Sequence, residues 1–176
     1  MANRDYYEGN FRNGVADGYG KYVQTNGYRY EGQWKNNLPN GRGEALYPDG
    51  SKYNGEFLNN KRHGKGILMQ EGSIFEGTFK EGNMTGEGSM QNDNGERYIG
   101  EWKDNFKHGE GEYWWPNGNH YKGHYREDQR DGKGTMTYHN GEYYEGYWVK
   151  GLKHGEGKYR TNQYAIRGIW EQGQLG

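Results

Sequence analysis

One short pattern recurs through this chain and constrains its fold more than any other feature. Tyr30-Glu31-Gly32-Gln33-Trp34 is followed by Gly41-Arg42-Gly43 and then by Pro48-Asp49-Gly50; the plan restarts at Tyr53-Asn54-Gly55-Glu56-Phe57 and is already present at Tyr7-Glu8-Gly9-Asn10-Phe11. The central glycines fall at Gly9, Gly32, Gly55, Gly77, Gly100, Gly123, Gly146 and Gly168, spaced by 23, 23, 22, 23, 23, 23 and 22 residues. A fixed period of this length is the mark of a repeat architecture, in which each unit buries its apolar side only by stacking on its neighbours. Each of the first seven glycines is followed nine residues later by a Gly-x-Gly, so both one-residue deletions lie in the loop beyond it. Five residues after the central glycine stand Gly14, Asn37, Asn60, Gly82, Asn105, Asp128, Gly151 and Gly173. Only types that tolerate positive φ occur there, which predicts a tight turn in every copy.

The local period is two. Tyr30, Gly32 and Trp34 share one face of a strand while Arg29, Glu31, Gln33 and Lys35 share the other. No window shows a helical apolar period, and glycine interrupts each one long enough to hold a helix. Reading Asn36-Asn37 as a two-residue hairpin loop sets Gly32 opposite Gly41 and Tyr30 opposite Gly43, so that rings lie over residues with no side chain. Reading Pro48-Asp49-Gly50 as a three-residue loop sets Ala45 opposite Tyr53 and Gly43 opposite Gly55. Gly27, Gly50, Gly95, Gly118 and Gly141 supply the left-handed position that such loops need. The shortened copies use Glu71-Gly72 and Asn162-Gln163 as two-residue loops, placing Leu68 opposite Phe75 and Tyr159 opposite Ile166. The faces stay in phase although the loop length changes, as a half-buried strand requires. The expected fold is all-β: a single-layer antiparallel meander of seven hairpins and an eighth leading strand, about 15 strands, twisted or curled into a rod on the order of 70 Å long.

These residues resemble the MORN (membrane occupation and recognition nexus) repeat: Tyr-x-Gly-x-Trp, then Gly-x-Gly, then Pro-Asp-Gly or Asn-Gly. The likeness runs from Tyr6 to about Gly173. Departures are Phe75 and Ile166 for the leading aromatic, Tyr125 for Trp, and the missing turn glycine at Asn162-Gln163. Residues 1–176 are expected to form one repeat domain, with repeats starting near Tyr7, Tyr30, Tyr53, Phe75, Tyr98, Tyr121 and Tyr144 and a partial eighth from Ile166. The resemblance implies a rod of stacked β-hairpins and a non-enzymatic scaffold, in some members of cytoskeletal or ciliary assemblies. In others it implies a link to membranes or an appendage of a lipid kinase or a lysine methyltransferase.

Composition bounds the function classes. Mean hydropathy is −1.45, yet 18 Tyr, 6 Trp and 5 Phe set the chain apart from disordered segments, which are poor in aromatics. A net charge of −1 gives no overall attraction to nucleic acid or anionic lipid. Lys61-Arg62-His63-Gly64-Lys65 is the one basic cluster, and at about 1 kcal/mol per basic residue near an anionic surface it implies weak phospholipid binding at most. The absence of cysteine excludes disulfides and thiolate metal sites and fits a reducing compartment. No apolar run approaches a membrane span or a signal sequence, so a cytoplasmic protein is expected.

Candidate chemistry is sparse. Gly18-Tyr19-Gly20 and its counterparts lack the following helix of a phosphate loop. His120 and His124 would sit about 13 Å apart along one strand, and His63, His108 and His154 roughly 19 Å apart across strands, too far to share an ion. Glu8 and Glu31, about 9.6 Å apart, are read as cross-strand partners of residues such as Arg29 on a solvated face. No catalytic residue, cofactor or metal is assigned. Two surfaces stand out. The aromatic stripe of Tyr30, Trp34, Tyr53, Phe57, Phe75, Phe79, Tyr98, Trp102, Tyr121, Tyr125, Tyr144 and Trp148 is the candidate face for a partner peptide or helix, because a single layer has nothing to cover it. The last strand, with Ile166, Ile169 and Trp170, is apolar on both faces and is the candidate for end-to-end self-association.

Overall fold

In the computed structural model, which describes residues 4–176, sixteen antiparallel strands lie in chain order in one sheet. They are β1 (Tyr6–Arg12), β2 (Val15–Val23), β3 (Arg29–Lys35), β4 (Leu38–Leu46), β5 (Lys52–Leu58), β6 (Lys61–Gln70), β7 (Ser73–Lys80) and β8 (Asn83–Asn92). The series continues with β9 (Arg97–Lys103), β10 (Phe106–Trp114), β11 (His120–Arg126), β12 (Gln129–Thr137), β13 (Tyr143–Val149), β14 (Leu152–Arg160), β15 (Ala165–Glu171) and β16 (Gln174–Leu175). There is one strand more than the repeat count predicts, because the chain turns once more at Gln172-Gly173 and β16 pairs with the end of β15. The described residues form two compact units, one ending at Met84 and the other spanning Thr85–Gly176.

The tight turns are where the sequence puts them. All eight predicted positions have positive φ, from 66° at Asn37 to 88° at Gly82. The residue before each is left-handed too, including Glu81, Glu127, Lys150 and Gln172, types that rarely adopt it. Two consecutive left-handed residues make the type I′ turn, whose twist matches that of the flanking strands. The second class of loop also matches: Ala45 faces Tyr53, Leu68 faces Phe75 and Tyr159 faces Ile166.

Within the first class of hairpin the register differs from expectation. Lys35 faces Leu38 across the two-residue loop, but Gly32 faces Gly43, not Gly41, and Tyr30 faces Ala45, not Gly43. A bulge accounts for the change: between Gly32 and Trp34 the single residue Gln33 spans Asn40, Gly41 and Arg42. Gly41, at φ 95°, provides the left-handed backbone that the bulge needs. Two extra residues preserve the alternation of faces, so no side chain changes sides. The same irregularity follows Gly9, Gly55, Gly123 and Gly146.

The ring still covers a glycine, diagonally rather than directly across. A Cβ on Gly43 would fall within the hydroxyl end of the Tyr30 ring, and one on Gly32 would overlap Gly43 Cα. The Tyr30 hydroxyl donates to the Gln33 carbonyl at 2.7 Å, satisfying a buried polar group. Tyr53, Tyr98, Tyr121 and Tyr144 repeat this bond, and Trp34, Trp102 and Trp148 each donate their indole N–H to a glycine carbonyl at 3.1 Å. Rings then interlock edge to face. In the first unit Tyr7, Trp34, Tyr30, Phe57, Tyr53 and Phe79 follow one another at centroid distances of 5.0 to 5.2 Å. The second unit repeats the series from Trp102 to Trp170.

Candidate functional site

All twelve rings of the predicted stripe are buried, none more than 8% exposed. They form the core, so the surface open to a partner is made by what lies over and beside them. Two features explain how a single layer hides one face. The edge-to-face packing removes the flanks of each ring from water. Successive hairpin tips also bond to one another: Asn37 N donates to Ala16 O, Asn60 N to Pro39 O, and Gly82 N to Arg62 O. In the second unit Asp128 N donates to Lys107 O, Gly151 N to Arg130 O, and Gly173 N to Lys153 O.

The residue that accepts this bond also points its side chain at the rings. Arg62 places its guanidinium 5.5 Å from the centroid of Tyr47 and 5.6 Å from that of Phe79, and donates to the Gly82 carbonyl at 3.0 Å. Lys107 Nζ lies 5.7, 5.2 and 5.8 Å from Tyr98, Tyr113 and Tyr125, with Asp128 at 3.7 Å. Burial holds the Lys107 amine below its ordinary pKa, and Asp128 offsets part of that shift. Arg130 stands 4.6 Å from Trp148 and bonds to the Gly151 carbonyl, and Lys153 Nζ is 4.9 to 5.5 Å from Tyr138, Tyr144 and Tyr159. Each cation lies within the range at which a ring face attracts it. Sequence reasoning missed this column. Its signal is the positively charged residue eleven positions after Ser51, Glu96, Asn119 and Glu142.

In the first two repeats the column residues are Ala16 and Pro39, and there the fold leaves a groove of about 570 Å³. Its walls are Tyr22, Tyr28, Tyr47 and Trp34, its floor Ala16 and Pro39, and its polar rim Gln24, Asn37 and Asn60; no charged side chain lines it. Tyr22 and Tyr28 stand at 6.3 Å, and Tyr28 and Tyr47 at 5.8 Å. Burial, then the neighbouring Tyr47 and Tyr22, pushes the Tyr28 hydroxyl up to about 12. Trp34 is the one member of the predicted stripe that reaches this groove. The three tyrosines come from the second strand of the hairpin and from the loop after it, at positions outside the recurring Tyr-x-Gly-x-Trp and Gly-x-Gly pattern.

The remaining predicted positions fall elsewhere. His120 Nε2 lies 3.0 Å from Glu112 and His124 Nε2 2.6 Å from Glu110, so each pairs with a carboxylate on the adjacent strand. Glu31 pairs with Lys21 at 3.5 Å and accepts from Tyr19, not from Arg29. At the last full strand, Trp170 is buried against Tyr144, Ile166 is half-buried opposite Tyr159, and Ile169 is exposed. β16 covers only the Trp170-Glu171 end of that strand.

Comparison with known proteins gives one family. The pattern described as MORN repeat matches residues 7–27, 30–52, 53–69, 75–97, 98–120, 121–143 and 144–162. No curated protein matches the chain. Among solved structures, the chain is similar to the TCP domain of SAS-4 (dCPAP) of Drosophila melanogaster, solved in complex with a proline-rich motif of Ana2 (dSTIL). The TM-score is 0.54 at 13% identity, covering 94% of this chain and 90% of that one.

Proposed function

The chain belongs to the MORN repeat family, and from that premise we propose that it is a non-catalytic scaffold that holds an extended segment of a partner protein in the groove of its first two repeats. The observation that carries this reading is the groove itself: three part-exposed tyrosines and a tryptophan around a concave floor, with no charged residue in the lining. Tyr and Trp are the side chains that most often anchor protein interfaces, since a rigid ring buries much area at little entropic cost. The polar rim of Gln24, Asn37 and Asn60 offers amide groups to a peptide backbone. The fruit-fly TCP domain, which shares the sheet fold, is in complex with a peptide motif, and a sheet of this kind has the means to receive one. The cytoskeletal or ciliary setting implied by the family resemblance, and the cytoplasmic location expected from the sequence, are part of the proposal.

Photo-crosslinking from two positions tests it. A benzophenone side chain at Tyr47, in the groove, is expected to give a discrete protein adduct in cells. The same group at Tyr19, exposed on the opposite face, is expected to give none. Tyr28→Ala, with an unchanged thermal midpoint, is expected to abolish the Tyr47 adduct. Equal adducts from both positions, or an adduct indifferent to Tyr28→Ala, would sink the groove reading.

A further inference from the structure

Three repeats share an arrangement that the groove reading leaves unexplained. In the repeat of Lys107, the Tyr113 hydroxyl donates to Glu96, and the amine sits among Tyr98, Tyr113 and Tyr125. In the repeat of Lys153, the Tyr159 hydroxyl donates to Glu142 at 2.7 Å, and the amine sits 5.1 Å from Tyr144 and 4.9 Å from Tyr159. In the first repeat the Tyr22 hydroxyl donates to Asp5 at 3.2 Å, beside Tyr7 and Trp34, whose centroids are 5.0 Å apart. The spacing is constant: Asp5, Glu96 and Glu142 each stand eleven residues before the column position and Tyr22, Tyr113 and Tyr159 six residues after it. The column position itself holds Lys107 and Lys153 in two of these repeats and Ala16 in the third.

Carboxylate and lysine go together within the chain. Where the column holds an arginine, the residue eleven before it is neutral: Ser51 before Arg62 and Asn119 before Arg130. Those guanidinium groups bond to a carbonyl of the next turn instead. In both lysine repeats this carboxylate accepts from the tyrosine hydroxyl beside the amine, and the direct ion pair of Lys107 is with Asp128. A compact ammonium is favoured by negative charge nearby, whereas a planar guanidinium spreads its charge over several donors. The first repeat therefore has the rings and the tyrosine-bound carboxylate of a lysine site, with Asn37 at the position of Asp128 and a methyl group where the amine-bearing chain would start.

We propose that this cage, formed by Tyr7, Tyr22 and Trp34 over Ala16 with Asp5 behind Tyr22, takes the side chain of a lysine supplied by the partner segment. The partner's ammonium fills the place that Lys107 and Lys153 fill from within the chain. Rings and a carboxylate both favour the cation once it leaves water, which a neutral side chain of equal length does not match. This inference rests on the groove reading and narrows it to one anchor of stated chemistry.

Its test uses the full chain and two acetylated, amidated pentapeptides, Gly-Ala-Lys-Ala-Gly and the same peptide with norleucine at the centre. In NMR titrations the lysine peptide is expected to shift the Trp34 indole and Tyr22 ring signals saturably, and the norleucine peptide to shift them at least tenfold less strongly at equal concentration. Asp5→Asn is expected to weaken the lysine peptide about tenfold. Ala16→Lys, which supplies the side chain internally, is expected to abolish its binding while raising or leaving unchanged the thermal midpoint. Equal binding of both peptides would overturn the lysine assignment while leaving the groove reading intact. No response to either peptide, or full binding by Ala16→Lys, would also overturn the lysine assignment; the Tyr47 crosslink reports on the groove independently.

Discussion

Two regions with one sequence plan behave differently because of a single column position. Around Lys107, Arg130 and Lys153, the rings already face cations of their own chain, and the hollow beside them, about 530 Å³, is lined by Arg130 and Lys153. Around Ala16 and Pro39 the hollow is of similar size but has no charged lining. Both regions share the glycine-backed rings, the bulges and the bonded tips. A repeat can thus keep its architecture while changing what its open side offers, and the change is made at a position outside the family pattern.

The largest effect on this comparison is alkaline unfolding. The hydroxyls of Tyr53 and Tyr28 are pushed up to about 12 mainly by burial, and that of Tyr159 to about 12 mainly by its bond to Glu142. Tyr30, Tyr98, Tyr113, Tyr121 and Tyr125 are raised as well, with burial the first cause in each. A raised folded pKa means that the unfolded chain loses its proton first, near the ordinary value of about 10. The contribution to stability is complete below that pH and is lost as the pH rises through the folded values. The phenolate absorbance of the buried rings, read as the part beyond that of exposed tyrosines such as Tyr6 and Tyr164, is expected to appear together with loss of the sheet signal, in one cooperative step above about pH 10. Core tyrosines that titrate while the sheet signal holds would break the shared-core half of the comparison.

Next in size are Gly43→Ala and Gly111→Ala, one in each region. Each new Cβ would run into a tyrosine ring, Tyr30 or Tyr98. Overpacking of a filled core costs about 1–3 kcal/mol and occasionally more. Both are expected near the upper end, because the backbone beneath is pinned by sheet bonds, and denaturant midpoints measure it. Markedly unequal costs would show that the two regions do not share one packing rule. The smallest effect is Arg130→Ala, expected to lose about 1–2 kcal/mol of stability from the contacts with Trp148 and Trp115. It is also expected to remove one of the two charges lining the second hollow, leaving Lys153, and so to bring it part of the way towards the first, which an apolar fluorophore that brightens on binding would report. An Arg130→Ala protein with unchanged stability would mean that the column cations are incidental.

The repeat spacing alone revealed the strand order, both loop classes and the inward face, since glycine, aromatic and turn residues recur at fixed intervals. The hairpin register was not legible, because Gly-x-Gly can serve equally as a ring-facing pair or as a bulge. Only the bonded geometry around Gly41 separates these. Of the candidate site, the residue type was legible and the positions were not. Aromatic residues were recognised as the interaction-prone feature, but the regular ones, such as Tyr30 and Trp102, turn inward to become core. Those left part-exposed, Tyr22, Tyr28 and Tyr47, lie outside the recurring pattern of the repeat. Pattern recurrence marks what a repeat needs to fold, so a site built from the exceptions stays below its signal.

The bonds between hairpin tips have a kinetic consequence. Asn60 reaches back 21 residues to Pro39, and Gly82 reaches back 20 to Arg62; the same reach recurs from Asp128 to Lys107 and from Gly173 to Lys153. Every such closure is short, so a growing chain can complete it soon after the second hairpin of a pair has emerged, with little loop entropy to overcome. A chain wired this way can order progressively during synthesis, each new tip docking on one already made.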